Sequence, residues 1–323
     1  MLHITDGESV AGTLRESGIP GVVSICGDLM YEGPAPAGLD AETWRETRAR
    51  FMAGAGLGQR LEEARQCLKA SEDTLAAFSL YEEVVIWLSH TLSNQLILIK
   101  LLDWFSRRDS GAVKLSLICV GSYAGMDRFV GLGQLHANQL VSLADTRLPI
   151  DERQYRTARA AWNAFTSPDP TEMERFIATD TSALPFIAAS LRRHLEQFPS
   201  ADNGLSRTER QALSVLRDQG PLSGPRLFVA VRDLEEQVFM GDVSFYKIVA
   251  DLAEARHPLV RISDSLQHRL GDVTITETGR KVLEGRADHI HLNGIDRWLG
   301  GVHLTGENAV WRWDRVSERI FLL

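Results

Sequence analysis

The first apolar run of the chain ends in acids, Leu2-His3-Ile4-Thr5-Asp6-Gly7-Glu8-Ser9. A phosphate cradle needs close backbone approach and exposed N–H groups, which favours several glycines and often a lysine. Here Gly7 stands alone between two carboxylates, without G-x-G-x-x-G or G-x-x-x-x-G-K-[ST] spacing. Asp6 and Glu8 also have ordinary duties at a helix start, as N-cap and as first-turn acid. Three further clusters carry chemistry-bearing side chains: Gly27, Asp28 and Glu32; Ser89, His90, Asn94 and Gln95; and Gly121 with Ser122. If Asp6, Asp28, Glu32 and His90 converge, they suit a divalent metal, acid-base work by His90 beside a carboxylate, or hydrogen bonds to ribose hydroxyls. His90, Asp6 and Asp28 are thus the candidate catalytic groups. Gly7, Glu8, Ser9, Gly27, Glu32, Asn94, Gln95, Gly121 and Ser122 are the candidate ligand contacts. A histidine just after a strand also serves as a helix cap or a partner for backbone carbonyls, which is the competing role for His90. No H-E-x-x-H, H-x-x-E-H or G-x-S-x-G pattern is present, so neither a zinc-protease signature nor a serine-hydrolase elbow assigns a metal, a cofactor or a reaction.

Convergence depends on the elements that hold these clusters. Leu2–Thr5, Val22–Cys26, Val84–Leu88 and Leu115–Val120 are short apolar runs, the last two nearly continuous as in strands buried on both faces. Helical periodicity lies between them: Ser9–Ser17, Ala41–Ala53, Gln59–Ala70, Ser93–Ser106 and Gln134–Ala144. Strands alternating with short helical crossovers imply right-handed βαβ units and a Rossmann-like parallel sheet over residues 1–150. In such a sheet ligands collect beyond the carboxyl ends of the strands, which is where all four clusters fall. Residues 151–203 read as a helical connection broken at Pro168, Pro170 and Pro185, with a linker over Pro199–Gly204.

From residue 204 the pattern changes. Ser206-x-x-Glu209 is a capping box. Helices over Gly224–Leu234 and Asp242–Arg256, a two-stranded wing from Leu259–Ser263 and Val273–Thr276, and a closing helix at Glu277–Leu283 predict a winged-helix-like unit over 204–288. Its third helix sets Lys247 and Arg256 against Asp242, Asp251 and Glu254, an acidic reading head that disfavours DNA. Arg261, Arg269, Arg280, Lys281 and Arg286 give the wing some positive character. The tail, 289–323, predicts an aromatic hairpin, Leu299–Leu304 returning as Asn308–Asp314. Trp311 and Trp313 then fasten it to the body, and Arg297 and Arg312 are free to answer a carboxylate or phosphate.

A length of 323 residues allows two domains, and a formal net charge of -8 disfavours broad nucleic-acid or anionic-membrane binding. Without a signal-like start or a long apolar run, a cytoplasmic location is expected. Cys26, Cys67 and Cys119 are scattered and odd in number, so no disulfide is expected, and Cys26 and Cys119 read as buried strand thiols. HITDGES, GDLMYEGPAP, EVVIWLSHTLSNQL and the closing GIDRWLGGVHL with WRWD together resemble a bacterial family, the proteins carrying domain of unknown function eighteen-thirty-five. In that family a second uncharacterised domain often follows. The resemblance implies this architecture and assigns no activity. Three functions fit: a small-molecule site at the strand ends, for a nucleotide or phosphorylated metabolite; a ligand-responsive winged-helix DNA-binding regulator; and a protein-interaction scaffold.

Overall fold

The computed structural model describes residues 1–25, 28, 30–55, 59–109, 111–263, 270–307 and 311–323. The chain begins β1 (Leu2–Thr5), α1 (Glu8–Glu16), β2 (Val22–Ser24), β3 (Gly33–Pro34), α2 (Ala41–Gly54) and α3 (Leu61–Ala76). It continues with β4 (Glu83–Ser89), α4 (Leu92–Ser106), β5 (Lys114–Val120), α5 (Ala137–Ser142) and β6 (Leu148–Pro149). The strands form a five-stranded sheet in the order β2-β1-β4-β5-β6, parallel except for β6. This is an α/β fold. Period-two alternation divides its core: Leu2, Ile4, Val84, Ile86 and Leu88 face one layer, while Val22, Val85, Trp87 and Ile118 face the other with Val10, Ala11 and Leu14 of α1.

The helices α6 (Glu152–Thr166), α7 (Thr171–Ile177) and α8 (Ile187–Leu195) pack into the first of those layers, sharing its core through Ala158, Phe165, Met173 and Leu191. A second core is built by α9 (Arg207–Gln219), β7 (Leu222–Ser223), α10 (Gly224–Arg232), α11 (Asp242–Glu254), β8 (Val260–Ile262), β9 (Asp272–Ile275) and α12 (Glu277–Leu283). Its strands pair antiparallel in the order β7-β9-β8. The Ser206 hydroxyl accepts from the Glu209 N–H and the Glu209 carboxylate from the Ser206 N–H, the reciprocal cap that the sequence indicates. Among the described residues, no helix is long and apolar enough to cross a membrane.

The tail departs from expectation. After α13 (His289–Asn293), β10 (Ile295–Gly300) pairs antiparallel with β11 (Val302–Gly306), and β12 (Trp311–Asp314) with β13 (Arg319–Leu322). There are two hairpins instead of one, because Gly300-Gly301 turns the chain immediately after β10. β10 also adds β3 in parallel through Leu299↔Gly33 and Gly300↔Pro34, so the end of the chain is stitched to its beginning. Cys67 is disulfide-bonded, contrary to the expectation of unpaired thiols, since sequence spacing carries no measure of distance in space. Cys119 is free, and burial pushes its thiol up to about 11. Cys26 lies outside the described residues.

The Gly300-Gly301 turn presses on the end of α6. A Cβ on Gly301 would lie 1.9 Å from the Thr166 carbonyl oxygen, and Gly300 has φ +61 with the Phe165 carbonyl oxygen 2.4 Å from its Cβ position. Gly12, inside α1, meets nothing within 4 Å. Gly301→Ala is therefore expected to destabilise by about 2 kcal/mol or more, while Gly12→Ala stabilises by about 0.5–1 kcal/mol. Urea unfolding of the two variants checks this pair of opposite signs.

Candidate functional site

The chain leaves β1 toward β2 through α1 on one face of the sheet and leaves β4 toward β5 through α4 on the other. Strand order therefore reverses between β1 and β4, and the carboxyl ends of these two strands part. A cleft of about 350 Å³ opens there. Asp6, Gly7, Glu8 and Ser9 form one wall, and Ser89, Thr91, Ser93 and Asn94 another. Val130-Gly131-Leu132-Gly133 and Val238-Phe239-Met240-Gly241 complete it.

Asn94 ties the two strand ends together. Its Oδ1 accepts from the Ser89 N–H at 2.8 Å and the Ser89 hydroxyl at 2.9 Å, and its Nδ2 donates to Asp6 Oδ2. Thr91 caps α4 by accepting from the Asn94 N–H. Gln95, one turn in, donates to the Ser89 carbonyl at 2.8 Å and to the Cys119 sulfur at 3.3 Å, so it is a buried brace outside the cleft. Burial raises the Asp6 carboxyl above the usual range, against the opposing bond from Asn94. Glu8 behaves oppositely: bonds from Arg15 at 2.7 Å and from the Ser24 hydroxyl at 2.8 Å hold its exposed carboxyl below that range. Burial thus works against charge on the first acid, and the second is paired with a cation.

Two helix N-termini meet at this cleft. Gly7 is the N-cap of α1 with no side-chain cap bond, and the leading N–H groups of any helix lack intrahelical acceptors. Leu92 and Ser93 open α4 across the cleft. Hydroxyls of Ser9, Ser89, Thr91 and Ser93 and the Asp6–Asn94 pair supply donors and acceptors, while Val10, Leu132 and Phe239 supply apolar wall.

The other expected residues do not arrive. Asp28 is buried beside Arg48, whose Nε lies 2.9 Å from its Oδ1, and Lys100 Nζ stands 3.8 Å from Oδ2. Burial opposes its charge, but Arg48 and Lys100 hold the carboxyl below the usual range, so Asp28 is a structural ion and not a catalytic one. Glu32 faces the second core near Ser244; burial raises its carboxyl, and its Oε1 has no hydrogen-bond partner. His90 lies outside the cleft, stacked on Phe129 at 5.8 Å and edge-on to Phe186 at 6.0 Å, with burial lowering its pKa. Gly121 is held under Phe186, 2.6 Å from where its Cβ would stand, and Ser122 is exposed beyond it. Arg297 pairs with buried Glu209 at 2.6 Å; against the burial of that acid, Arg297 helps hold it down to about 2. Arg312 is buried, donating to the Ser200 carbonyl at 3.3 Å and to Asp288 at 3.2 Å. Both arginines are therefore internal fasteners. Gly27 lies outside the described residues. Asp6, Gly7, Glu8, Ser9 and Asn94 remain together, and among the described residues no group of three or more His, Cys, Asp or Glu could hold a metal ion.

Sequence reasoning missed Thr91, Ser93, the 130–133 segment and the 238–241 segment. Gly131-Leu132-Gly133 carries a visible signal, a glycine pair in the loop after β5, and Gly131 has φ +136 where a side chain is strained. Residues 238–241 carry none, because they reach the cleft from the connection between α10 and α11, far along the chain. The fold and cleft define an α/β protein with a mostly parallel five-stranded sheet and an opening at its point of strand-order reversal. No family model and no curated protein matches the chain.

Substitution separates the two aspartates. Asp28→Asn leaves Arg48 buried without its counter-charge and is expected to destabilise by about 3–5 kcal/mol in urea unfolding at neutral pH. A carboxyl raised in the folded state contributes stability in acid that is lost as pH rises through its folded pKa. Asp6→Asn removes that loss and is expected to be no less stable than wild type at pH 7. Wild-type stability of Asp28→Asn would overturn the structural assignment.

Proposed function

We propose that the strand-end cleft is a small-molecule site, for a nucleotide or phosphorylated metabolite in the cytoplasm. The observation that carries this reading is the meeting of two helix N-termini and the Asp6–Asn94 pair in one cleft at the strand-order reversal. An anionic group lies against the leading N–H groups of α1 and α4, where the helix dipoles favour it. Ribose-type hydroxyls bond Asp6 and Asn94, and a ring or chain covers Val10, Leu132 and Phe239. Arg15 offsets the charge of Glu8, and Asp6 is turned into its bond with Asn94. The reading is of binding; His90 has no part in it. With it goes a Rossmann-like assignment of the sheet, a winged-helix-like assignment of residues 204–288, and kinship with the family that the sequence resembles.

One observation favours a ligand-responsive regulator as a second reading: residues 238–241, which line the cleft, lead directly into α11, the helix that would read DNA. Its charges argue against DNA as the partner. Lys247 pairs with Asp251, and Arg256 pairs with Glu307 at 3.2 Å and donates to the Leu292 carbonyl, which leaves Asp242 and Glu254 on an acidic face. Arg269 lies outside the described residues.

Ser93→Asp tests the first reading. An acid in the first turn of α4 favours the helix but repels an anion seated there. Nucleoside 5′-monophosphates and sugar phosphates are expected to raise the melting temperature of the wild type by several degrees at saturating concentration. Ser93→Asp should fold normally and bind at least about tenfold more weakly, a loss of 1.4 kcal/mol or more. Absence of any shift across the panel, or equal binding by Ser93→Asp, would sink the reading.

A further inference from the structure

A second cleft, of about 250 Å³, lies away from the strand ends, where α9 meets the turn between β12 and β13. Arg207 and Arg210, three residues apart on α9, border it with Arg315 from that turn. Phe198 and Trp313 form its apolar floor. Two of the three guanidiniums have counter-charges: Arg207 bonds Glu196 at 2.8 Å and Glu236, and Arg315 bonds Asp202 at 3.1 Å. Arg210 has no ion-pair or hydrogen-bond partner for its guanidinium among the described residues, and its Nε is shielded from solvent and unbonded. Desolvation, then Arg315 and Arg207, push its pKa down, only partly offset by Glu196 and Asp202.

Three cations therefore crowd a half-buried cleft in a chain of net charge -8, and one of them, Arg210, has no directly bonded counter-ion among the described residues. Like charges brought together out of water are costly. Glu196 and Asp202 already bond the flanking arginines, and Glu318, which also lines the cleft, pairs with Arg192.

The geometry points to a binding site for a compact oxyanion here, the phosphate or carboxylate group of a small molecule, held chiefly by Arg210 between Arg207 and Arg315. A planar guanidinium offers paired donors that match such a group, and charge-assisted bonds of this kind are the stronger ones. The site is separate from the strand-end cleft and shares no lining residue with it.

Arg210→Gln tests the assignment, with inorganic phosphate, phenyl phosphate and succinate as probes in low-chloride buffer. The wild type is expected to gain melting temperature with at least one of them. Arg210→Gln should fold, since it removes a cation with no directly bonded counter-ion, and should lose about tenfold or more in affinity for that probe. Ser93→Asp, which alters only the strand-end cleft, should retain it. Selective gain with phosphate and phenyl phosphate would identify a phosphate site, and gain with succinate a carboxylate site. No shift of the wild type by any probe, or an equal shift of Arg210→Gln, would overturn the proposal.

Discussion

A single buried guanidinium holds the parts of this protein in register. Arg48 of α2 has no side-chain exposure, pairs with Asp28, and donates to the carbonyls of Glu32 at 2.9 Å and Pro34 at 3.0 Å. Those carbonyls flank the two residues of β3, which pair with β10 near the end of the chain. The same segment sets Tyr31 against Ser244 of the second core, with 3.2 Å between their hydroxyl oxygens. Desolvating this cation is costly, and only a complete set of acceptors offsets it. Asp28, Glu32 and Pro34 are thereby fixed in place, and with them the contacts to the tail and to α11.

The sheet imposes a second constraint. Because β1 and β4 are neighbours whose crossovers depart to opposite faces, no helix can cover the gap between their carboxyl ends. Polar groups left there need partners, and Asn94 meets the need by bonding Ser89 of one strand and Asp6 beyond the other. The helix starts that follow point their free N–H groups at the same gap. Site and fold are thus two consequences of one strand order.

The parallel sheet was legible in the sequence, but its strand order was not. The unbroken apolar run of β4 and the short spacings around it indicate a parallel sheet, and Ser206-x-x-Glu209 marks the start of α9. Pairings between distant segments were not legible. Nothing in the spacing of Asp28 and Arg48 says that they meet in the core, nor that Phe186 closes over His90 from far along the chain. Alternation in Trp311-Arg312-Trp313 correctly sends Arg312 opposite the indoles, but not that its side is also buried against Ser200 and Asp288. Local pattern reports which face a residue takes; whether that face meets solvent depends on what folds over it.

The 238–241 wall of the strand-end cleft is held from behind. Arg193 lies over the Phe239 ring at 4.8 Å and bonds Glu235 at 2.7 and 2.8 Å, with further bonds to Thr208 and Gln197. Tyr31 meets Phe239 edge-on at 5.1 Å, and Arg128 reaches Asp233 and the Glu235 carbonyl, each at 3.0 Å. A wall braced by two cations and an aromatic contact is ordered when the protein folds. Its ordering cost is then met before anything enters the cleft, which favours recognition by a preformed shape over closure of a lid.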